Sequence, residues 1–227
     1  MSLTVSVVIP TRNEHAEAAL APVLEKCRAH ADEILVVGEA TDRAREIAGR
    51  HGARVEAEDS AGPGAALRRG IQLATGHIVV FLDADGAHDP GDIPKLVAPI
   101  AAGQADQCIA SRLRGGSDET CATLPQLVRM MGGQIATLAI NHRFGVRLSD
   151  SLNGFRAFLT SALRRLPLRE DGPAIRQELT IQSIRHGLRV MEIPIHEYAR
   201  AAAGAETSVW REAPRHVFSC LKSLIRN

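Results

Sequence analysis

Residues 77–86, which read HIVVFLDADG, join an apolar run to two acidic residues. A short run of β-branched and aromatic residues is typical of a buried strand in a parallel sheet. Side chains two positions apart on an extended segment point the same way, so Asp83 and Asp85 should leave the strand together. Two adjacent carboxylates repel each other and need either solvent or a cation. The stretch therefore predicts a buried strand that ends in an acidic site.

A divalent metal ion is the functional interpretation of this acidic pair. Mg²⁺ and Mn²⁺ prefer oxygen ligands and commonly share them with substrate phosphates. The alternative is a loop pair that caps the following helix or faces solvent, since the D-x-D spacing is common. The position of Asp83 and Asp85 directly behind a strand favours the metal.

Strands and helices alternate along the first half of the chain. The expected strands are 3–9, 33–37, 53–57, 77–82 and 106–110, with helices at 14–29, 41–50, 65–74 and 92–101 between them. This order predicts an α/β fold with a mostly parallel, Rossmann-like sheet and helices on both faces. After residue 111 we expect helices at 125–141, 175–186 and 207–226 and strands at 155–159 and 188–195. No linker divides the chain, so residues 1–227 are predicted to form a single domain.

Charge is distributed unevenly although the net charge is only +1. Residues 1–110 hold 10 Lys and Arg against 16 Asp and Glu, whereas residues 111–227 hold 17 against 10. An acidic half facing a basic half suits a site that holds a cation on one wall and phosphates on the other. A genomic base composition that favours arginine is an equally weighted explanation of this uneven charge, because only three of the basic residues are Lys. Nucleic acid is not an expected partner.

The four cysteines are far apart in sequence, without a C-x-x-C pair. This spacing argues against a zinc site or a disulfide framework and favours reduced thiols in the cytoplasm. The apolar start is too short for a signal peptide, and no stretch is long enough to span a bilayer. Membrane contact is therefore expected to be peripheral, at the inner face.

A polar turn follows the first strand, at the sheet edge where ligands bind in such folds. Thr11, Arg12 and Glu14 there could offer backbone N–H groups to an anion and side chains to a nucleoside. The alternative is an ordinary helix start with Asn13 as cap. Taken alone, this segment favours the alternative.

Glycine and arginine residues mark further candidates. Gly62 and Gly64 could let the backbone approach a nucleotide closely, although a plain loop fits equally well. Arginines that follow strands at the ligand edge suit phosphate recognition, because the guanidinium group is planar and always charged. Arg112, Arg114 and Arg200 follow predicted strands, and Arg156 is a further candidate in the segment 150–156. Singly, each is more typical of a surface or ion-paired arginine.

Together these motifs resemble glycosyltransferase family two, of the GT-A fold, and within it the branch that is similar to dolichol-phosphate mannose synthase. The matching segments run in order through most of the chain: Ser6 to Glu14, Gly64-Ala65-Ala66-Leu67-Arg68, Asp83-Ala84-Asp85 with His88 and Pro90, Ala110-Ser111-Arg112 with Gly115-Gly116-Ser117, Asn153-Gly154-Phe155-Arg156, and Glu192-Ile193-Pro194-Ile195 with Arg200 and Gly204. Agreement in order is more specific than any one motif.

The resemblance implies roles for particular residues. It makes residues 1–110 the nucleotide-sugar-binding half and residues 111–227 the acceptor half. The donor-binding residues would be Pro10, Thr11, Arg12, Glu14, Glu39, Gly64, Arg68, Asp83, Ala84 and Asp85. Arg112, Arg156 and Arg200 would hold phosphates, and Asp150 would act as a general base or position the acceptor. The metal would be Mg²⁺ or Mn²⁺ on Asp83 and Asp85, with His196 as a candidate third ligand because Ala87 stands where the family often has glutamine.

The implied activity is inverting transfer of a sugar from a nucleotide-diphosphate sugar to a phosphate-bearing acceptor such as a polyprenyl phosphate. A soluble small-molecule or phosphorylated metabolite acceptor is an alternative, because Ala205-Glu206-Thr207 replaces the family's usual Ser-Lys. A non-catalytic nucleotide-sugar-binding module is an alternative from another class. Nucleotidyl transfer would want a long glycine-rich loop after the first strand, and residues 10–14 are not one.

The predicted C-terminal helix at 207–226 is amphipathic and basic. It could dock on the protein's own core, pair with a second subunit in a homodimer or lie on an anionic membrane. Docking on the core is the default expectation for a helix of this kind.

Overall fold

The computed structural model describes residues 3–11, 14–39, 41–57, 62–118 and 124–199. Arg12, Arg200 and the predicted C-terminal helix lie outside these ranges. Glu14 is described through its backbone alone, as the first residue of a helix.

Within the described ranges, seven strands form one sheet. They are β1 (Val5–Thr11), β2 (Glu33–Gly38), β3 (Arg54–Ala57), β4 (Ile78–Phe81), β5 (Gln107–Ser111), β6 (Arg156–Leu159) and β7 (Val190–Pro194). Their order is β3-β2-β1-β4-β6-β5-β7. All pairings are parallel except those that β6 makes with β4 and β5. The predicted mostly parallel α/β sheet is confirmed.

Helices occupy the connections between strands. They are α1 (Glu14–Cys27), α2 (Asp42–Arg50), α3 (Pro63–Leu73), α4 (Ile93–Ala101), α5 (Arg112–Gly115), α6 (Leu124–Phe144), α7 (Thr160–Leu163) and α8 (Ile175–Arg185). Thr41 caps α2 by accepting a hydrogen bond from the Ala44 N–H at 3.2 Å. Pro63 opens α3, where a missing N–H costs nothing. Among the described residues, no helix is long and apolar enough to cross a membrane.

Alternate side chains of the inner strands pack on opposite faces of the sheet. Val7, Ile9 and Val80 belong to a buried cluster that also contains residues of α1, α2 and α4. Val8 and Val79 belong to a second cluster with residues of α3 and α8. Because both faces are covered, the inner strands can be apolar without interruption. This confirms the predicted helices on both faces.

The antiparallel strand β6 changes which residues meet at the ligand edge. Arg156, its first residue, pairs with Phe81 of β4 and Ile109 of β5. The turn before β6, residues 150–155, therefore lies beside the carboxyl ends of both parallel neighbours. The alternation of strands and helices along the sequence did not predict that β6 is antiparallel to its neighbours. The reason is that β6 follows β5 through the long helix α6 and not through a standard crossover between parallel strands.

One face of α6 is buried and another is exposed. Ala136 and Ile140 pack against Ile181 of α8 in a third buried cluster. The exposed apolar residues of this helix recur at helical spacing and are called the α6 stripe below. They are Leu124, Leu127, Met131, Ile135 and Leu138, with Met130 beside them. Leu138 is 68 % exposed, so the stripe is unusual for a surface helix.

Candidate active site

The acidic pair lies where the sequence predicts, directly behind β4. Asp83 and Asp85 are both half-buried, with buried Ala84 between them. Asp85 Oδ1 accepts a hydrogen bond from the Ala87 N–H at 3.0 Å, across a turn in which Gly86 has φ of 76°. The positive φ lets the chain turn sharply behind the strand. One oxygen of Asp85 thus shapes this turn.

Asp83 already has a cationic neighbour. Arg176, in the first turn of α8, donates from Nη2 to Asp83 Oδ2 at 2.5 Å. The pair lies against Gly154, where an added Cβ would be 2.6 Å from Asp83 Oδ2 and 3.1 Å from Arg176 Cζ. Glycine at 154 therefore provides the space for the pair. The sequence patterns did not single out Arg176. An arginine in the first turn of a helix, near its positive end, nevertheless indicates that an anion lies nearby.

A second arginine–aspartate pair lies at the carboxyl end of β5. Arg112 donates from Nε and Nη2 to the two oxygens of Asp150, at 2.6 and 2.9 Å, and its backbone N–H also reaches Asp150. Arg112 Nη1 lies 3.6 Å from Glu197. Burial raises the pKa of Asp150, but the hydrogen bonds and charge of Arg112 outweigh it, and the pKa is lowered overall.

This geometry corrects one predicted role of Asp150. A general base needs a free oxygen and a pKa near the working pH. Asp150 is 2 % exposed, and both of its carboxylate oxygens bind Arg112. The residue positions the arginine instead. Arg112 itself is 31 % exposed and can reach a ligand.

The turn that carries Asp150 is held by β7. Glu192 accepts hydrogen bonds from the backbone N–H groups of Ser149 and Asp150, each at 2.7 Å, and from the Ser149 hydroxyl at 2.9 Å. Arg114, the other arginine that follows β5, lies 3.9 Å from Glu192. These contacts make the region around Arg112 a fixed scaffold.

Arg156 is buried, which corrects its predicted role as a phosphate ligand. It is 0 % exposed. Its guanidinium donates to the carbonyl oxygens of Asn153, Ser151 and Arg176 and to Thr180 Oγ1. Burial lowers the pKa of Arg156 to about 9. A group enclosed in this way cannot contact a substrate, and it organises the turn before β6.

His196 faces the glycine-rich turn after β5 and does not complete a metal site. Its Nε2 lies 2.8 Å from Asp118 Oδ1, and its Nδ1 lies 3.3 Å from the Gly115 carbonyl oxygen. The hydrogen bond with Asp118 raises the pKa of His196. Both ring nitrogens are therefore engaged by neighbours on the side of Gly115 and Asp118. Across the ranges that the structure describes, no three His, Cys, Asp or Glu side chains form a metal-binding group.

The residues present still fit an oxygen-ligated metal. Asp83 and Asp85 supply hard carboxylate oxygens, which suit Mg²⁺ or Mn²⁺ when substrate phosphates complete the coordination. The hydrogen bond from Arg176 occupies one Asp83 oxygen, so metal binding there must share or displace that contact.

The end of β1 lies against the end of β2. A Cβ at Gly38, which has φ of 136°, would be 2.1 Å from the Thr11 carbonyl oxygen. The Thr11 Oγ1 is buried and has no hydrogen-bond partner among the described residues. Pro10 is half-buried and Glu39 is exposed at the same edge. The predicted nucleoside-binding residues that the structure describes here are therefore brought together.

Gly64 and Arg68 have partners within the chain. The Gly64 N–H donates to the Asp171 carbonyl oxygen at 2.7 Å, and a Cβ at Gly64 would be 2.2 Å from the Glu170 carbonyl oxygen. Arg68 forms an ion pair with the Asp171 carboxylate. The close approach predicted for a nucleotide is made here by the loop at 169–172, whose N–H groups at Arg169 and Glu170 bind Glu178.

His88 is a buried residue that the sequence reasoning noted only within a motif. It is 5 % exposed, and neither ring nitrogen has a hydrogen-bond partner among the described residues. Its ring centroid lies 5.2 Å from that of Phe155. Burial lowers the pKa of His88, whereas the charges of Glu197, Asp83 and Asp85 act in the opposite direction. The buried ring therefore lies close to the acidic pair, and burial disfavours its protonated form.

Comparison with known proteins finds relatives that are named as glycosyltransferases. The low-salt glycan biosynthesis hexosyltransferase Agl6 of Haloferax volcanii is 30 % identical over 94 % of this chain, which spans 52 % of that protein. The undecaprenyl-phosphate mannosyltransferase of Micrococcus luteus is 26 % identical over 85 % of this chain and 83 % of its own length.

A solved structure has the same fold. Glucosyl-3-phosphoglycerate synthase from Mycobacterium tuberculosis, crystallised with Mn²⁺, UDP and glucosyl-3-phosphoglycerate, superposes with a TM-score of 0.78 at 25 % identity, covering 98 % of this chain and 80 % of that one. The profile of the family described as glycosyl transferase family 2 matches residues 6–170. The chain belongs to glycosyl transferase family 2.

Proposed function

We propose that this chain is an inverting hexosyltransferase that moves a sugar from a nucleotide-diphosphate sugar to a phosphate-bearing acceptor such as a polyprenyl phosphate. Family membership and the names of the two relatives support sugar transfer. The acceptor is supported by one observation in particular: α6, whose exposed face carries the α6 stripe, contacts through its inner face the turn that positions Arg112.

A hydrogen bond joins α6 to this turn. Thr137, on the inner side of α6, hydrogen-bonds Ser151 at 2.9 Å between their hydroxyls, and Ser151 follows Asp150. The α6 stripe extends over about 21 Å at 1.5 Å per residue. The helix contains no acidic residue. A partly exposed cation near a helix with a long apolar surface suits an acceptor with an anionic head and a long apolar chain.

Different residues would bind the donor and the acceptor. Pro10, Thr11 and Glu39 would line the nucleoside, with Arg12 and Glu14 beside them in sequence, and Asp83 and Asp85 would hold Mg²⁺ or Mn²⁺. When bound, the metal would supply positive charge for the leaving diphosphate. Arg112, and Arg200 in sequence after β7, would orient the acceptor phosphate.

The reaction would be a single in-line displacement. An acceptor phosphate oxygen forms a bond to the anomeric carbon as the bond from that carbon to the diphosphate oxygen breaks. The nucleoside diphosphate leaves with the electron pair. A phosphate is already ionised, so no general base is required, which agrees with the engagement of Asp150 by Arg112.

A soluble phosphorylated acceptor is the second candidate. The synthase from M. tuberculosis, crystallised with glucosyl-3-phosphoglycerate, supports it through the shared fold. The α6 stripe would then serve another purpose, such as contact with a membrane surface or with a second subunit.

Transfer assays can separate these candidates. The protein would be incubated with Mn²⁺, radiolabelled UDP- and GDP-sugars and either a polyprenyl phosphate in detergent or 3-phosphoglycerate. We expect transfer to the polyprenyl phosphate, its loss in Asp85→Ala, and its retention in Asp42→Ala, which removes an exposed carboxylate of α2.

A double variant then tests the acceptor surface. Ile135→Asp with Leu138→Asp places charges on the α6 stripe and should lower transfer to the long-chain acceptor at least tenfold, while hydrolysis of the donor stays within twofold. Transfer to 3-phosphoglycerate alone would contradict the lipid acceptor. Absence of any donor turnover would favour a nucleotide-sugar-binding module.

A further inference from the structure

We propose that Arg176 is a donor-binding residue that couples metal binding to binding of the donor's diphosphate, by exchanging Asp83 for a phosphate. This inference deepens the proposed function and rests on it. It assigns Arg176 two alternative anionic partners, Asp83 in the empty site and the diphosphate in the loaded one.

The pair is placed where donor and metal would meet. Asp83 is the first carboxylate behind β4, and Arg176 Nη2 lies 2.5 Å from its Oδ2. No side chain separates the pair from the turn before β6, because residue 154 is glycine. Three segments, the end of β4, that turn and the first turn of α8, therefore converge on one carboxylate.

The backbone of Arg176 is fixed whereas its side chain is accessible. The Arg176 carbonyl oxygen accepts hydrogen bonds from buried Arg156 Nη1 at 3.1 Å and from Thr180 Oγ1 at 3.2 Å. Its side chain is 38 % exposed and that of Asp83 is 25 % exposed. Because the pair is only partly buried, water can replace either partner, and the guanidinium can change partners at a lower cost than in a buried pair. A fixed base with an exposed tip suits a side chain that moves between two anions.

Charge balance gives the exchange its direction. While Arg176 neutralises Asp83, a divalent cation at the acidic pair meets a nearby positive charge and a carboxylate that is already occupied. A diphosphate brings negative charge that can attract the guanidinium away, and a planar guanidinium binds phosphate oxygens well. Metal alone should therefore bind weakly, and metal with nucleoside diphosphate should bind cooperatively.

Direct binding measurements test this without relying on catalysis. Free Mn²⁺ would be measured by electron paramagnetic resonance, and UDP and GDP binding in EDTA by calorimetry, using whichever diphosphate wild type binds more tightly. In Arg176→Gln we expect Mn²⁺ alone to bind about tenfold more tightly, because a neighbouring positive charge is removed. Metal-free binding of the diphosphate should weaken at least fivefold.

Matched variants control for general effects. Arg185→Gln lies on the last turn of the same helix, with its guanidinium over the Phe144 ring, and should change neither constant by more than twofold. Arg176→Lys keeps the positive charge, so its affinity for Mn²⁺ alone should stay close to the low affinity of wild type. Thermal melting checks that every variant folds.

Exchange of partners by Arg176 requires both changes in Arg176→Gln, the tighter binding of Mn²⁺ and the weaker binding of the diphosphate. Unaltered Mn²⁺ affinity in Arg176→Gln, unaltered diphosphate affinity, or the absence of diphosphate binding to wild type would each overturn the proposal. Failure of sugar transfer with both binding changes present would instead count against the proposed function.

Discussion

Two arginine–aspartate pairs lie at the same edge of the sheet and differ in burial. Asp150 is 3 % exposed at its side chain and binds Arg112 through both oxygens, whereas Asp83 is 25 % exposed and binds Arg176 through one. Burial makes a broken pair expensive, while exposure lets water replace a lost partner. The first pair therefore fixes a shape, and the second is free to change partners when ligands arrive.

Removing the support that both pairs share should have the largest effect. Arg156→Met deletes two donors to the Asn153 carbonyl oxygen and one donor to each of the Ser151 and Arg176 carbonyl oxygens. Leaving buried carbonyl groups short of donors should cost about 3–5 kcal/mol of unfolding free energy. Urea unfolding would measure this loss.

A surface arginine provides the control for that variant. Arg50→Met on α2 removes a pair whose arginine side chain is 72 % exposed, so its unfolding free energy should change by less than about 1 kcal/mol. Equal stability of the two variants would contradict the structural role of Arg156.

The exposed pair should matter for activity much more than for stability. Asp83→Asn removes the charge that metal and Arg176 share, and sugar transfer should fall at least about 100-fold, or roughly 3 kcal/mol of transition-state stabilisation. The melting temperature should change by less than about 3 °C, because the pair is partly solvated. A large loss of stability in Asp83→Asn with retained sugar transfer would contradict the view that this pair serves activity more than stability.

The buried pair should show the opposite balance. Asp150→Asn keeps the shape but removes the charge facing Arg112, and unfolding free energy should fall by about 2 kcal/mol, since Arg112 remains partly exposed. The wild-type contribution has a defined pH dependence: because the pKa of Asp150 is lowered from 3.8, it is present above that value and lost as the pH falls through the folded-state pKa. The difference in unfolding free energy between the two proteins should therefore be complete at pH 7 and should shrink as the pH is lowered below 3.8.

The smallest effect should come from a third, exposed pair. Asp118 raises the pKa of His196, and Asp118→Asn should lower it toward its ordinary 6.5 in an NMR titration. A raised folded-state pKa stabilises the protein at low pH, and this contribution is lost as the pH rises through that pKa. An unchanged titration in Asp118→Asn would show that the pair does not form in solution.

The sequence was sufficient for the parts of the fold that depend on local pattern. The apolar runs placed all seven strands near their observed bounds, and Asp83 and Asp85 were expected behind the strand that precedes them. A run of apolar residues indicates burial directly, so predicting these strands needs no knowledge of distant partners.

Long-range partners decided the rest, and only the folded chain could supply them. Arg156, Asp150 and Arg112 were all expected to act on substrate at the ligand edge, yet folding buries the first, engages the second with an arginine and leaves the third partly accessible. Arg176 meets Asp83 across 93 positions of sequence because β6 runs antiparallel and brings Gly154 beside β4. A side chain's charge is written in the sequence, but its solvation and its nearest opposite charge are set by tertiary packing.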